Sequence, residues 1–267
     1  MLFGFLLFVL LVVLVIIVVG LLATTTPCTT KDGFVSQPTT FESIFNTLEY
    51  GSLKNKFTFR AYEEFFGRFK GKNPVVLEIG VRGGGGIELF HKYFEDHCQI
   101  YGVDMEERVH RIHKKYPQTP IFIGDQADPV FMRSVAESIG KPIDMVLDDG
   151  GHFMHQQIRS FETLFPFLRD GGVYVIEDVQ TSYDDKFNNH TTPTLVEYMK
   201  DMADKLVAGT LKGTVWEQVK SIQFYKDMVA IQKDKDIPFG FLYKDKSRYR
   251  DDIKDVRDAP DPFDTEY

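Results

Sequence analysis

The chain has 267 residues, 43% apolar and 26% charged, with a formal net charge of −8 and a pI near 5.4. These averages exclude a polytopic membrane protein, a disordered chain and a small disulfide scaffold, and the acidic balance excludes a nucleic-acid partner held on a basic surface. They conceal an asymmetry: residues 1–23 carry no charged side chain, and Gly4 and Gly20 are the only residues there that are not apolar.

Residues 2–22 would form a helix about 31 Å long at ~1.5 Å per residue, enough to cross the hydrocarbon core of a bilayer. A cleaved signal peptide would have a shorter apolar run behind a basic start. Here the run is longer, no Lys or Arg precedes it, and Leu21-Leu22-Ala23 is a poor cleavage site. Residues 1–23 are therefore expected to be an uncleaved, single-pass membrane anchor. The nearby basic residues, Lys31, Lys54 and Lys56, all follow the anchor, which places the following domain on the cytosolic side by the positive-inside bias. Two isolated cysteines, Cys28 and Cys98, give no sign of an oxidising compartment.

Residues 24–40, rich in Thr, Pro and Ser, read as a linker. Residues 41–69 place Phe41, Ile44, Phe45 and Leu48, then Tyr62, Phe65, Phe66 and Phe69, at helical spacing and predict a helical lead-in. From Pro74 onward β-rich runs (75–81, 100–105, 121–125, 143–149, 172–178) alternate with helical stretches (85–95, 106–116, 129–139, 152–168). Such alternation predicts an α/β domain, a mostly parallel sheet with helices on both faces. After a helix over 194–207, the runs 221–225 and 228–232 predict an antiparallel C-terminal hairpin. The domain is taken as 41–240, and 241–267 as a charged, mobile tail.

Ligands of open α/β sheets bind beyond the carboxyl ends of the strands, and polar residues collect there. The first run ends Glu78-Ile79-Gly80-Val81-Arg82-Gly83-Gly84-Gly85-Gly86. Arg82 breaks the G-x-G-x-x-G spacing, which disfavours a dinucleotide and favours the Glu-x-Gly-x-x-Gly form of nucleoside-binding methyltransferases; a plain tight turn would use the same glycines. Asp104, about 20 residues on, suits ribose hydroxyls or a helix cap. Asp125 and Gln126 suit an adenine edge, or again a cap. The fourth run ends Asp148-Asp149-Gly150-Gly151-His152 and the fifth Glu177-Asp178. If these strands are neighbours, their ends lie about 5 Å apart. Asp149, Glu177 and Asp178 would then repel one another unless a cation neutralised them, and an all-oxygen set suits Mg²⁺. His152 stands where a general base is needed. Helix capping and solvated strand ends are the plainer alternative for these acids.

Taken together, these motifs resemble the metal-dependent class I S-adenosylmethionine (SAM) sugar O-methyltransferases of macrolide tailoring, within a wider cephalosporin-hydroxylase-like grouping. The resemblance runs from about Tyr50 to Lys233. It includes Gly124-Asp125-Gln126-Ala127-Asp128-Pro129, Asp148 through His152, and Gly171 through Asp178 followed by Thr181-Ser182-Tyr183. It implies a Rossmann-like methyltransferase sheet, with SAM contacts from Glu78, Gly80, Gly83, Asp104, Asp125, Gln126 and Asp148. It also implies Mg²⁺ (or Mn²⁺) on Asp149, Glu177 and Asp178, His152 and Asp149 as catalytic residues, and a sugar or glycan acceptor. Three departures stand out: Gly151 where the family often has Ser, Asp184 where Trp usually follows the Tyr183 position, and Tyr50-Gly51-Ser52-Leu53-Lys54 in place of Tyr-Gly-Thr-Asp-Lys, a run to which no role is assigned. A catechol-type O-methyltransferase, an NAD-dependent oxidoreductase and a membrane-tethered module without catalysis are the rival readings. A homo-oligomer is left open.

Overall fold

The computed structural model describes residues 40–188, 193–214 and 216–235. The anchor expected over 1–23, the linker up to residue 39 and the tail from 236 onward lie outside the described residues. Among those described, no helix is long and apolar enough to cross a membrane.

Seven strands form one sheet: β1 (Val75–Ile79), β2 (Gln99–Asp104), β3 (Ile121–Ile123), β4 (Ile143–Asp148), β5 (Leu168–Glu177), β6 (Val219–Phe224) and β7 (Met228–Lys233). Their order is β3-β2-β1-β4-β5-β7-β6. The first five are parallel; β7 runs antiparallel between β5 and β6. The predicted α/β sheet and terminal hairpin are both present, and the hairpin inserts its second strand against β5. The order reverses between β1 and β4, and crevices for ligands form at such a switch point.

Strand residues alternate between two apolar layers. Val75, Leu77 and Ile79 pack on the layer of Met132, Val135 and Phe161, contributed by the helices Pro129–Ile139 and Met154–Leu164. Val76, Val173 and Val175 face the other layer, with Phe65, Leu89 and Phe90 from the helices Thr58–Phe66 and Gly85–Tyr93. Burial on both faces explains why β1 and β4 read as continuous apolar runs.

Several predicted elements differ in form, for local reasons. The stretch 106–116 is a 3₁₀ helix, Glu107–Lys114, whose buried residues Val109 and Ile112 stand three apart and so share a face of that tighter helix. The stretch 152–168 is an α-helix only from Met154 to Leu164, because Pro166 lies in the first turn of a 3₁₀ segment, Phe165–Phe167, and lacks an amide to continue the ladder. The lead-in is interrupted. Thr40 caps a short helix, Phe41–Phe45, through a capping box with Ser43, and a second helix begins only at Thr58. Between them, residues 46–57 cross toward the carboxyl edge of the sheet. The wholly buried carboxylate of Glu88 holds that crossing by accepting the backbone N–H groups of Glu49 and Tyr50 at 2.9 and 2.8 Å, and it pairs with Lys92 and Lys115 at 3.0 Å each.

Candidate active site

The register of the central strands sets the site. Asp148 on β4 stands opposite Ile79 of β1 and Ile176 of β5, so the next residues, Gly80, Asp149 and Glu177, arrive at one level. Gly80 and Asp149 border a cleft of about 380 Å³ at the switch point; Glu177 is not among its lining residues. The glycines there answer to close backbone approach. Gly80 has φ +91°, and a Cβ on it would lie 2.1 Å from the Asp149 carbonyl oxygen. A Cβ on Gly83 would lie 2.1 Å from the Gly51 carbonyl, so Gly83 admits the 46–57 segment to the cleft wall.

Glu78 lines the cleft, 2% exposed, and its Oε2 is buried without a hydrogen-bond partner. Burial pushes its carboxyl up to about 8; Lys54 pulls it down, while Asp149, Glu177 and Asp104 push it further up. A cationic ligand over Glu78 would supply the missing counter-charge. Asp104 also lines the cleft. Its two oxygens accept the Arg82 and Glu106 amides at 2.7 and 2.9 Å, and each keeps a second lone pair.

The third strand end is assembled differently from the expectation. Asp125 is exposed and its carboxylate accepts the Ala127 amide, a local turn contact. Gln126 borders the cleft, but its amide is spent inside the protein. Oε1 accepts the Gly151 N–H at 2.8 Å, and Nε2 donates to Asp148 at 3.0 Å. Asp148 does not line the cleft at all. It is fully buried, accepting from Ser160 at 2.6 Å and Tyr174 at 3.2 Å as well as from Gln126. Burial raises its carboxyl, and these donors pull the other way. Adjacent residues at a strand end point to opposite sides, so Asp148 and Asp149 could not both face a ligand. The Asp148–Gln126 pair instead fixes the Gly150-Gly151 turn, where a Cβ on Gly150 would lie 1.9 Å from Gln126 Oε1.

The acids and the histidine form two overlapping groups. Ligand atoms of Asp149, His152 and Asp178 lie within 4.8 Å of one another. His152 Nε2 is 3.3 Å from Asp178 Oδ2, and His152 Nδ1 is buried without a partner. Both residues hold left-handed backbone, φ +63° and +55°, which aims their side chains away from the directions the strands would impose. Glu177, the third expected ligand, is turned the other way. It is 6% exposed, accepts from the Tyr62 hydroxyl through Oε1, and pairs through Oε2 with Lys54 Nζ at 2.8 Å. Lys54 also reaches Asp149 Oδ2 at 2.6 Å. Burial pushes the Glu177 carboxyl up to about 7, countered by Lys54. Burial works against the Lys54 ammonium, and Glu177 and Asp149 hold it charged.

Lys54, Tyr62, Gln126 as a brace and Glu88 as an anchor were not foreseen as parts of this arrangement. The run Tyr50–Lys54 was visible as a motif, and the one basic residue in it was the signal.

A Rossmann-like sheet with this strand order, a glycine-walled cleft at the switch point and acids on successive strand ends defines the class: a class I methyltransferase fold. Residues 77–179 match a family described as a methyltransferase domain. Among solved structures, the chain is similar to MycE, a methyltransferase of the mycinamycin biosynthetic pathway in complex with Mg, SAH and mycinamycin VI. The two are 28% identical with a TM-score of 0.62, over 75% of this chain and 56% of that one. Similar proteins include the 8-demethyl-8-alpha-L-rhamnosyl tetracenomycin-C 2'-O-methyltransferase of Streptomyces olivaceus, 35% identical over 65% of this chain and 49% of its own length. The demethylmacrocin O-methyltransferase of Streptomyces fradiae is 32% identical over 72% and 51%. The chain thus spans about half the length of the curated relatives it matches. These relatives bear out the resemblance to sugar O-methyltransferases drawn from the motifs.

Proposed function

We propose that the chain is a SAM-dependent, divalent-cation-dependent O-methyltransferase that moves a methyl group to a sugar hydroxyl of a glycan or glycoconjugate. The observation that carries this reading is the meeting of Asp149, His152 and Asp178 within 4.8 Å beside the cleft that Glu78 and Asp104 border. Both cofactors fit the residues present. The unpartnered buried oxygen of Glu78 calls for a cation, and SAM brings a sulfonium and an ammonium; Gly80 and Gly83 let the backbone at Asp149 and Gly51 close the cleft wall beside it. Near the acids, the carboxylates of Asp149, Glu177 and Asp178 outnumber the one ammonium among them, which suits Mg²⁺ or Mn²⁺. The Streptomyces olivaceus relative is named for 2'-O-methylation of a rhamnosyl tetracenomycin, which supports a sugar acceptor.

A divalent cation held by these acids would lower the pKa of an acceptor hydroxyl and orient it. His152 is the group placed to take the hydroxyl proton as the oxygen attacks the methyl carbon in line with the departing sulfur, and Asp178 beside it fixes the ring. The Gln126–Asp148 brace holds the Gly150-Gly151 turn rigid between the two ligands, so that positioning supplies a large part of the acceleration. Incubating the protein with labelled SAM, Mg²⁺ and separate panels of glycans and catechols tests the proposal. Label on a sugar oxygen is expected, abolished by excess EDTA. Label confined to catechols would redirect the assignment, and full activity in EDTA would remove the cation. The apolar residues 1–23 carry the further proposal of a single-pass anchor with the domain in the cytosol, which would concentrate the enzyme near a membrane-bound acceptor; release of the chain by alkaline washing of membranes would overturn it.

A further inference from the structure

Lys54 lines the cleft without a part in the proposed reaction, and its placement is specific. Its side chain is 3% exposed, and its Nζ bridges Asp149 Oδ2 at 2.6 Å and Glu177 Oε2 at 2.8 Å. It therefore joins two carboxylates from adjacent parallel strands, β4 and β5, to a segment 95 residues away from the nearer of them. That segment, 46–57, contains no helix or strand. It is tied down before Lys54, where Glu88 holds the Glu49 and Tyr50 amides, and it faces solvent beside Lys54, where Leu53 is 85% exposed. The Lys54 bridge is a buried hold on the second half of the segment, beside Asn55 Nδ2 donating to Asp227 at 3.4 Å and Phe57 packed on the core.

A Mg²⁺-sized cation sits 2.0–2.1 Å from its carboxylate oxygens. Bound by Asp149, Glu177 and Asp178, it would share two of its ligands with an ammonium already in contact with them. The two positive charges would then stand within a few ångströms in a buried site, where like charges repel strongly.

We propose that Lys54 is an exchangeable counter-cation. It neutralises Asp149 and Glu177 when no metal is bound and gives way when a divalent cation binds, releasing residues 51–57 from the edge of the cleft. Glu177 is thereby kept in place as a latent ligand, and the segment that borders the cleft is coupled to metal occupancy. This rests on the cation-dependent reading of the function. It accounts for Glu177 being held apart from the Asp149–His152–Asp178 group, and for a buried lysine in a site that would otherwise need only acids.

The test is Mn²⁺ binding to the full chain, measured by electron paramagnetic resonance, together with limited trypsin cleavage after the buried Lys54, read against cleavage after the exposed Lys56. Lys54→Met keeps the aliphatic stem and removes the competing charge, so it is expected to bind Mn²⁺ at least ten times more tightly than the unsubstituted protein. In the unsubstituted protein Mn²⁺ is expected to speed trypsin cleavage after Lys54, whose side chain is 3% exposed in the bridge, relative to cleavage after Lys56. Mn²⁺ that binds the unsubstituted protein without changing cleavage after Lys54 overturns the proposal even if the variant does not fold. Equal or weaker binding by a folded Lys54→Met overturns it as well, while leaving the cation-dependent function standing. Absence of Mn²⁺ binding to both proteins removes that function and the exchange with it.

Discussion

His152→Asn is expected to slow methyl transfer by about 10²–10⁴-fold, the range spanned by loss of a positioned general base. Asn is the informative replacement because residue 152 sits at φ +63°, a left-handed conformation that Asn tolerates better than Ala. The ring contributes one polar contact, to Asp178 at 3.3 Å, and an edge contact to Phe187, so folding should survive its removal. Titration calorimetry should show SAM affinity unchanged within a few-fold, because the proposed SAM contacts are Glu78, Gly80 and Asp104, at other points of the cleft lining. Turnover at the unsubstituted rate would remove His152 as the base.

Asp149→Asn should reduce turnover at least as severely, and for a different reason. Asp149 belongs to both charge groups: its carboxylate lies in the cluster with His152 and Asp178, and its Oδ2 carries the Lys54 ammonium. The substitution is isosteric and keeps the backbone N–H of residue 149 on the Ile79 carbonyl at 2.9 Å, so the strand end stays in register. Loss of even an outer partner of a metal ligand costs 10–100-fold in metal affinity, and loss of a ligand charge should cost more than about 100-fold. Mn²⁺ binding and turnover should therefore fall together while SAM binding persists. A variant that keeps its Mn²⁺ affinity would show that Asp149 is not a ligand, and would shift the role to Asp178 and Glu177.

The two substitutions separate proton transfer from cation binding. His152→Asn should leave Mn²⁺ affinity nearly intact if Asp149, Glu177 and Asp178 are the ligands. A large loss of Mn²⁺ affinity in that variant would mean that the imidazole itself ligates, as the 4.8 Å grouping also permits geometrically.

Much of the scaffold was legible in the chain because it is written locally. The helix Pro129–Ile139 has Asp128 accepting from the Val130 and Phe131 amides at one end, Pro129 at its first position and Gly140 in left-handed backbone at the other, and its predicted bounds match. Parallel strands buried on both faces read as short apolar runs, and the polar residues ending them mark the carboxyl edge. The elements that read less well are those whose form depends on distant partners. The lead-in over 41–69 has helical spacing throughout, yet it breaks at 46–57, where the Glu88 carboxylate offers backbone amides a buried acceptor. Asp148 and Gln126 had the residue types of a ligand site, but partners on the helix Met154–Leu164 and on β5, Ser160 and Tyr174, turn their polar atoms inward.

The sequence by itself determined the order of helices and strands, the ends at which chemistry could gather, and the acids and histidine available to do it. These depend on spacing, caps and turns within a few residues, and such signals survive in a linear string. The tertiary structure alone decided which acids meet. Strand register brings Asp149 and Glu177 to one level, left-handed backbone at His152 and Asp178 aims those two at Asp149, and a lysine 123 positions before Glu177 supplies the charge between them. Contacts across such distances leave no local pattern, because they are selected by packing and by the cost of burying an unpaired charge, both of which exist only once the chain has folded.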